Sequence, residues 1–157
     1  MEETCPVCRK HRGQGPLGGE LLGGDDLVLV WLRADGPEGY AFVETRRHVG
    51  GLEQLTPDEA ARFGRWTSRL AAALARELPV ERVHTFVAGL GVDHVHQHVY
   101  VRPRGTPAGK PWWPPAPAAL PVDRSALAAR LRAHLVGPAA GPPGAGVSAS
   151  RGPADRR

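Results

Sequence analysis

The chain has 157 residues, of which 41% are hydrophobic and 23% charged, a balance that fits one globular domain, since single domains commonly run to roughly 100 to 200 residues. No apolar run approaches the roughly 18 to 20 residues a bilayer span needs, and the start Met1-Glu2-Glu3-Thr4 lacks a basic-then-apolar secretory pattern, so the cytoplasm is the expected location. A formal charge of +4 suits anionic ligands, but Arg151, Arg156 and Arg157 crowd a terminal stretch, and no specific nucleic-acid binding is expected from charge of this kind.

In chain order, Cys5 and Cys8 come first. They are the only two cysteines and too close for a fold-stapling disulfide, so their spacing suggests metal binding or redox chemistry. A Gly-rich loop from His11 to Gly19 follows. Glu20 to Leu22 and Leu27 to Leu32 flank the turn Gly23-Gly24-Asp25-Asp26 and read as a β-hairpin. After the break at Asp35 to Gly39, Tyr40 to Thr45 reads as a further strand. Thr56-Pro57-Asp58-Glu59 then supplies an N-cap, a proline for the first helical position and the glutamate of a capping box. Phe63, Trp66, Leu70, Leu74 and Leu78 recur at helical steps up to Pro79, giving one apolar face that should pack on the sheet.

Arg82 to Ala88 and His94 to Arg102 read as two more strands around the turn Gly89 to Asp93. Residues 103 to 122 hold seven prolines together with Trp112 and Trp113, too many for a helix or a central strand, and read as a lid or surface loop. Asp123 caps a last helix on which Leu127, Leu131 and Leu135 share a face. The expected fold class is α+β: an antiparallel sheet of about five strands, one main helix packed on it and a C-terminal helix. The expected domain covers residues 1–136, with 137–157 a disordered Pro/Gly/Arg tail by composition.

Alternation along a strand puts His94, His96 and His98 on one face with Tyr100 and Arg102, and Val95, Gln97, Val99 and Val101 on the other. At neutral pH an imidazole is largely unprotonated and a competent nucleophile, while a neighbouring histidinium can donate to phosphate oxygens. Attack on phosphorus would split one difficult displacement into two through a phosphoramidate. The same three rings could instead chelate one catalytic metal.

Asp93-His94-Val95-His96-Gln97-His98-Val99-Tyr100-Val101-Arg102-Pro103 resembles the signature of the histidine triad superfamily, whose usual form is His, apolar, His, apolar, His, apolar, apolar. Gln97 departs from it at one apolar position on the face opposite the histidines. The resemblance extends more loosely from Cys5 to about Pro107. It implies a nucleotide or nucleotide-conjugate substrate, with hydrolysis or nucleotidyl transfer at the α-phosphate through the middle histidine, His96. It further implies that His98 contacts the phosphate or helps protonate the leaving group, that neighbouring backbone fixes the ring of His96, and that the protein pairs as a homodimer.

The Cys5-Pro6-Val7-Cys8 spacing lets two thiolates share a tetrahedral zinc, which needs two further ligands from the fold. A redox pair would sit between a strand and a helix start, whereas this one precedes a glycine-rich loop. His11 lies a short step beyond Cys8. Resemblance to the galactose-1-phosphate uridylyltransferase branch of the same superfamily implies instead the set Cys5, Cys8, His48 and His94, a closed and structural Zn(2+) site. Before the triad, many relatives carry an Asn and a Ser, Thr or Gln that hold phosphate. The matching positions here are Val83 or His84, and Gly91. Candidate substrate-binding residues are therefore Gly91, whose backbone can approach a phosphate, Arg102, which can balance its charge, and His84 as a stand-in polar group. Loss of those donors keeps open the alternative of a zinc-stabilised nucleotide-binding module with little or no turnover.

Overall fold

The computed structural model describes residues 2–115 and 123–136. Five strands form one antiparallel sheet: β1 (Gly19–Gly24), β2 (Val28–Arg33), β3 (Ala41–Thr45), β4 (Val80–Phe86) and β5 (His96–Pro103), in the order β1-β2-β3-β5-β4. The fold is the α+β class expected. The β1–β2 hairpin turns where Gly24 takes a φ of +153°, and a side chain there would meet the Val28 carbonyl oxygen at 2.3 Å. A bulge between Leu21 and Gly23 re-aims the strand so that Leu22, rather than Leu21, enters the core.

Alternation divides the sheet into two faces with different covers. Val28, Val30, Leu32, Ala41, Val43, Val99 and Val101 point into the main core. Helix α2 (Pro57–Glu77) covers that face, burying Phe63, Trp66, Leu70, Ala73 and Leu74 against the strands. Its start is the capping box expected: Thr56 accepts from the Glu59 N–H, and the Glu59 carboxylate accepts from the Thr56 N–H. Helix α3 (Arg124–Leu135), capped by Asp123, packs Leu127, Ala128, Leu131 and Leu135 against β1 and α2. Gln97, polar at an apolar position of this face, accepts a hydrogen bond from the Thr67 hydroxyl of α2 at 2.5 Å, so its amide is not left unpaired.

The opposite face carries Trp31, Arg33, Phe42, Glu44, His96, His98 and Tyr100, together with Phe86 and His84 of β4. Two irregular segments cover it. One is a six-residue helix, α1 (Pro6–His11), that begins at the proline after Cys5, a stretch for which no element was read in sequence. So short a helix shows no amphipathic period in sequence. The other is the proline-rich segment after β5, described as far as residue 115. Residues 116–122 of that loop and the tail 137–157 lie outside the described residues. Among the described residues no helix is long and apolar enough to cross a membrane.

Each strand's limits differ by one or more residues from those read in sequence, and one difference matters for chemistry. Strand β5 begins at His96, the partner of Glu44 at the end of the β3 ladder, and not at His94. His94 lies just outside the ladder, and its ring turns toward α1 on this same face, so it meets Cys5 and Cys8 while His96 and His98 line a cavity beside it.

Candidate functional site

The ring of His94 turns toward α1. Its Nδ1 lies 3.5 Å from Cys5 Sγ and 3.4 Å from Cys8 Sγ, while Cys8 Sγ lies 3.5 Å from His48 Nδ1. One ligand atom from each of Cys5, Cys8, His48 and His94 falls within 4.8 Å of all the others. In a tetrahedral zinc site with Zn–S of about 2.3 Å and Zn–N of about 2.1 Å, ligand atoms stand roughly 3.5 to 3.8 Å apart, so these separations suit such an ion. The ring tautomer fits too. His94 Nε2–H donates to the Thr45 carbonyl at 2.8 Å, which leaves Nδ1 as the lone pair facing the thiols. Burial, and then the adjacent Cys5, push the Cys8 thiol up to about 11, so Cys8 needs a nearby cation to ionise. His11 is not in the set: its Nε2 donates to Glu44 at 2.8 Å.

His48 and His94 are held by the sheet and by α2. His48 follows Arg47, whose guanidinium makes two 2.8 Å hydrogen bonds to the Glu59 carboxylate. Those bonds hold Glu59 down to about 2 and tie the segment after β3 to the start of α2. Val95 N–H donates to the Val49 carbonyl at 2.7 Å, bringing the segment before β5 alongside.

His96 and His98 remain together, with ring centroids 5.1 Å apart. His96 Nδ1–H donates to the backbone carbonyl of His94 at 2.6 Å, fixing the tautomer with the lone pair on Nε2. His94 thus orients the ring of His96 through its own carbonyl. His98 Nδ1 lies 2.6 Å from the Tyr40 hydroxyl, and with that hydroxyl donating, the single ring proton of His98 sits on Nε2. Burial, helped by His96 and Arg33, lowers His98 from its ordinary 6.5 to about 4. The histidinium expected beside His96 is therefore not His98, which is a neutral imidazole at pH 7. Phe86 stacks flat against the His98 ring, with centroids 4.5 Å apart.

Both histidines open onto a cavity of about 420 Å³ that is also lined by Lys10, Arg33, Phe42 and Glu44. That volume lies within the usual small-molecule range. The other candidate residues lie elsewhere. Arg102 and His84 line a separate small cavity of about 60 Å³ under Trp112. There the Arg102 guanidinium donates to the carbonyls of Thr106, Pro107 and Lys110 and pairs with Glu81, so it fastens the proline-rich loop. His84 stacks on Tyr100, and burial, then Arg82, lowers its pKa. Gly91, at φ +80°, borders a third cavity of about 220 Å³ beside Cys5 and His48. None of these three lines the His96 cavity.

Sequence reasoning missed Lys10 and Glu44, whose side chains are buried and 2.5 Å apart on the cavity wall. Alternation could have placed Glu44 opposite His96, but nothing local indicates that α1 folds onto that face. Of the four tryptophans, Trp66 is core, with Nε1–H donating to Asp25. Trp31 lies instead on the site face, with the Lys10 ammonium 5.0 Å from its ring centroid. Trp113 meets Phe86 and His98 edge-on, with centroids 4.7 and 6.1 Å away.

No protein-family model matches the chain, and no curated protein matches it in sequence. Among solved structures the fold is similar to a Zn-bound histidine triad family protein from Mycobacterium smegmatis, at 24% identity and a TM-score of 0.67, over 87% of this chain and 96% of that one. It is similar as well to a Hit-like protein involved in cell-cycle regulation from Bartonella henselae, at 14% identity and TM-score 0.66, over 84% and 96% of the two chains. A hypothetical histidine triad nucleotide-binding protein from Sulfolobus tokodaii aligns over 81% and 88%, at 15% identity and TM-score 0.63. These likenesses show that the chain has the histidine triad type of fold.

Proposed function

We propose that this protein binds a nucleotide or nucleotide conjugate in the His96 cavity and acts at its α-phosphate as a hydrolase or nucleotidyltransferase. The observation that carries the reading is the 2.6 Å hydrogen bond from His96 Nδ1–H to the His94 carbonyl, which leaves Nε2 as a lone pair on a ligand-sized cavity. In this reading Nε2 attacks phosphorus, a P–N bond forms, and the bond to the leaving group breaks with its electron pair going to that group. Water or a second acceptor then takes the nucleotidyl group and returns His96 to its starting state. His98, neutral at pH 7, donates its Nε2–H to a phosphate oxygen and carries no charge of its own. Cys5, Cys8, His48 and His94 hold Zn(2+) as a structural ion, one that pins α1 to the segment before β5 and supplies no step.

The test is turnover by wild type and His96→Ala across nucleoside phosphoramidates, dinucleoside polyphosphates and nucleotide sugars, with nucleotide release as the readout. Wild-type release and a loss of at least about 1,000-fold in His96→Ala are expected, the scale of removing a covalent nucleophile. Full activity in His96→Ala overturns the mechanism. Binding without any release by wild type favours a zinc-stabilised binding module, a reading supported by Val83, His84 and Gly91 bringing no side-chain donor to the His96 cavity.

A further inference from the structure

A lysine ammonium only 5% exposed on its side chain requires a reason, because a buried charge is costly unless paired. Lys10 has one: Glu44 Oε1 lies 2.5 Å away, and the ring faces of Trp31 and Phe42 lie 5.0 and 5.4 Å from Nζ. Glu44 is shared, since its other oxygen accepts from His11 at 2.8 Å. Burial acts to raise the Glu44 pKa, but the His11 hydrogen bond and the Lys10 charge more than offset it, and the carboxylate is held below its usual range. A solvated pair serving only the surface would look like Arg33 and Asp35 at the cavity rim, whose side chains are 38% and 76% exposed.

The buried pair also stands where the chemistry is. Glu44 is the register partner of His96, and Lys10, Glu44 and His96 line the same cavity. An ammonium has three donors, and one hydrogen bond to Glu44 uses one of them. A lysine held by a glutamate at a cavity wall is an arrangement suited to phosphate, because the carboxylate keeps the ammonium aimed before the ligand arrives. Val83, His84 and Gly91, which match the positions of phosphate-holding side chains in relatives, bring no donor to this cavity, so a cation from another element suits an incoming phosphate.

We propose that Lys10, carried on α1, binds an anionic oxygen of the ligand's phosphate in the His96 cavity, with Glu44 and His11 as the groups that position it. This rests on the function proposed above. Equilibrium binding of AMP, inorganic phosphate and the uncharged nucleoside adenosine to the metal-loaded full chain tests it, in wild type, Lys10→Arg, Lys10→Met and the double variant Lys10→Met/Glu44→Gln. The double variant removes both charges and keeps the test readable should Lys10→Met alone strand Glu44 and fail to fold.

Loss of a charge-assisted contact predicts that Lys10→Met and the double variant weaken AMP about 10- to 100-fold, with adenosine unchanged. Lys10→Arg is expected to recover most of the AMP affinity. Equal weakening of AMP and adenosine, or no weakening of either, overturns the role for Lys10 and leaves His96 untouched. A wild type that binds neither AMP nor phosphate overturns this proposal and the nucleotide reading together.

Discussion

His98 and His96 are neighbours on one strand face, yet their surroundings divide their roles. His96 is oriented by a backbone carbonyl, which no side-chain substitution removes, whereas His98 depends on Tyr40 and on burial beneath Phe86. Because the folded-state pKa of His98 lies near 4, below its ordinary 6.5, the unfolded chain binds the proton more tightly between those values. The stabilisation from keeping this ring neutral is thus fully present above about 6.5 and is lost as pH falls toward 4. The midpoint of thermal unfolding should fall between pH 7 and pH 5, and His98→Gln should flatten that fall. An unchanged pH slope in His98→Gln would show that the ring is not held neutral.

Among the elements, β5 and α1 supply most of the candidate site, and they were unequally legible. Strand alternation correctly sent Val95, Val99 and Val101 to the core and His96, His98 and Tyr100 to the other face. It put the His94 ring on the face that α1 covers but could not show that Cys5 and Cys8 stand beside it there. It also placed Arg102 on the right face but could not say what lay above. The proline-rich loop occupies that space, and Arg102 donates to three of its carbonyls. Replacing Arg102 with Ala should therefore raise the rate of proteolytic cleavage within residues 103–115 several-fold, with nucleotide affinity changed less than about threefold, since that guanidinium lies outside the His96 cavity. A large loss of affinity with an unchanged cleavage rate would return Arg102 to the substrate.

For the whole molecule, the metal set joins parts of the chain far apart in sequence: the start of α1, the segment after β3 and the segment before β5. Cys5 and His94 are 89 residues apart, so an ion held between them closes most of the domain. Chelation or Cys8→Ser should lower the unfolding midpoint by several degrees, because metal binding is linked to folding. Zinc content should fall in parallel, and restoring the metal should restore the midpoint of the chelated wild type. A metal-free wild type with an unchanged midpoint would remove the structural role. His11→Ala should retain the metal, as its ring is bonded to Glu44 and not aimed into the set.

The features the sequence determined by itself are those that act over a few residues. The Thr56 to Glu59 capping box, the apolar stripe of α2, the alternation within β5 and the two-thiol spacing of Cys5 and Cys8 are of this kind. Each depends on neighbours whose geometry is imposed by helix or strand periods. What covers each face of the sheet was decided only in three dimensions. Helix α1 has no period of its own to announce it, and it lies on the site face through the Cys5, Cys8, His48 and His94 cluster and the contacts of Lys10 and His11 with Glu44. The buried Lys10–Glu44 pair and the loop that claims Arg102 follow from how those covers pack. A strand's period specifies which way a side chain points, while the neighbours it meets come from elements tens of residues away.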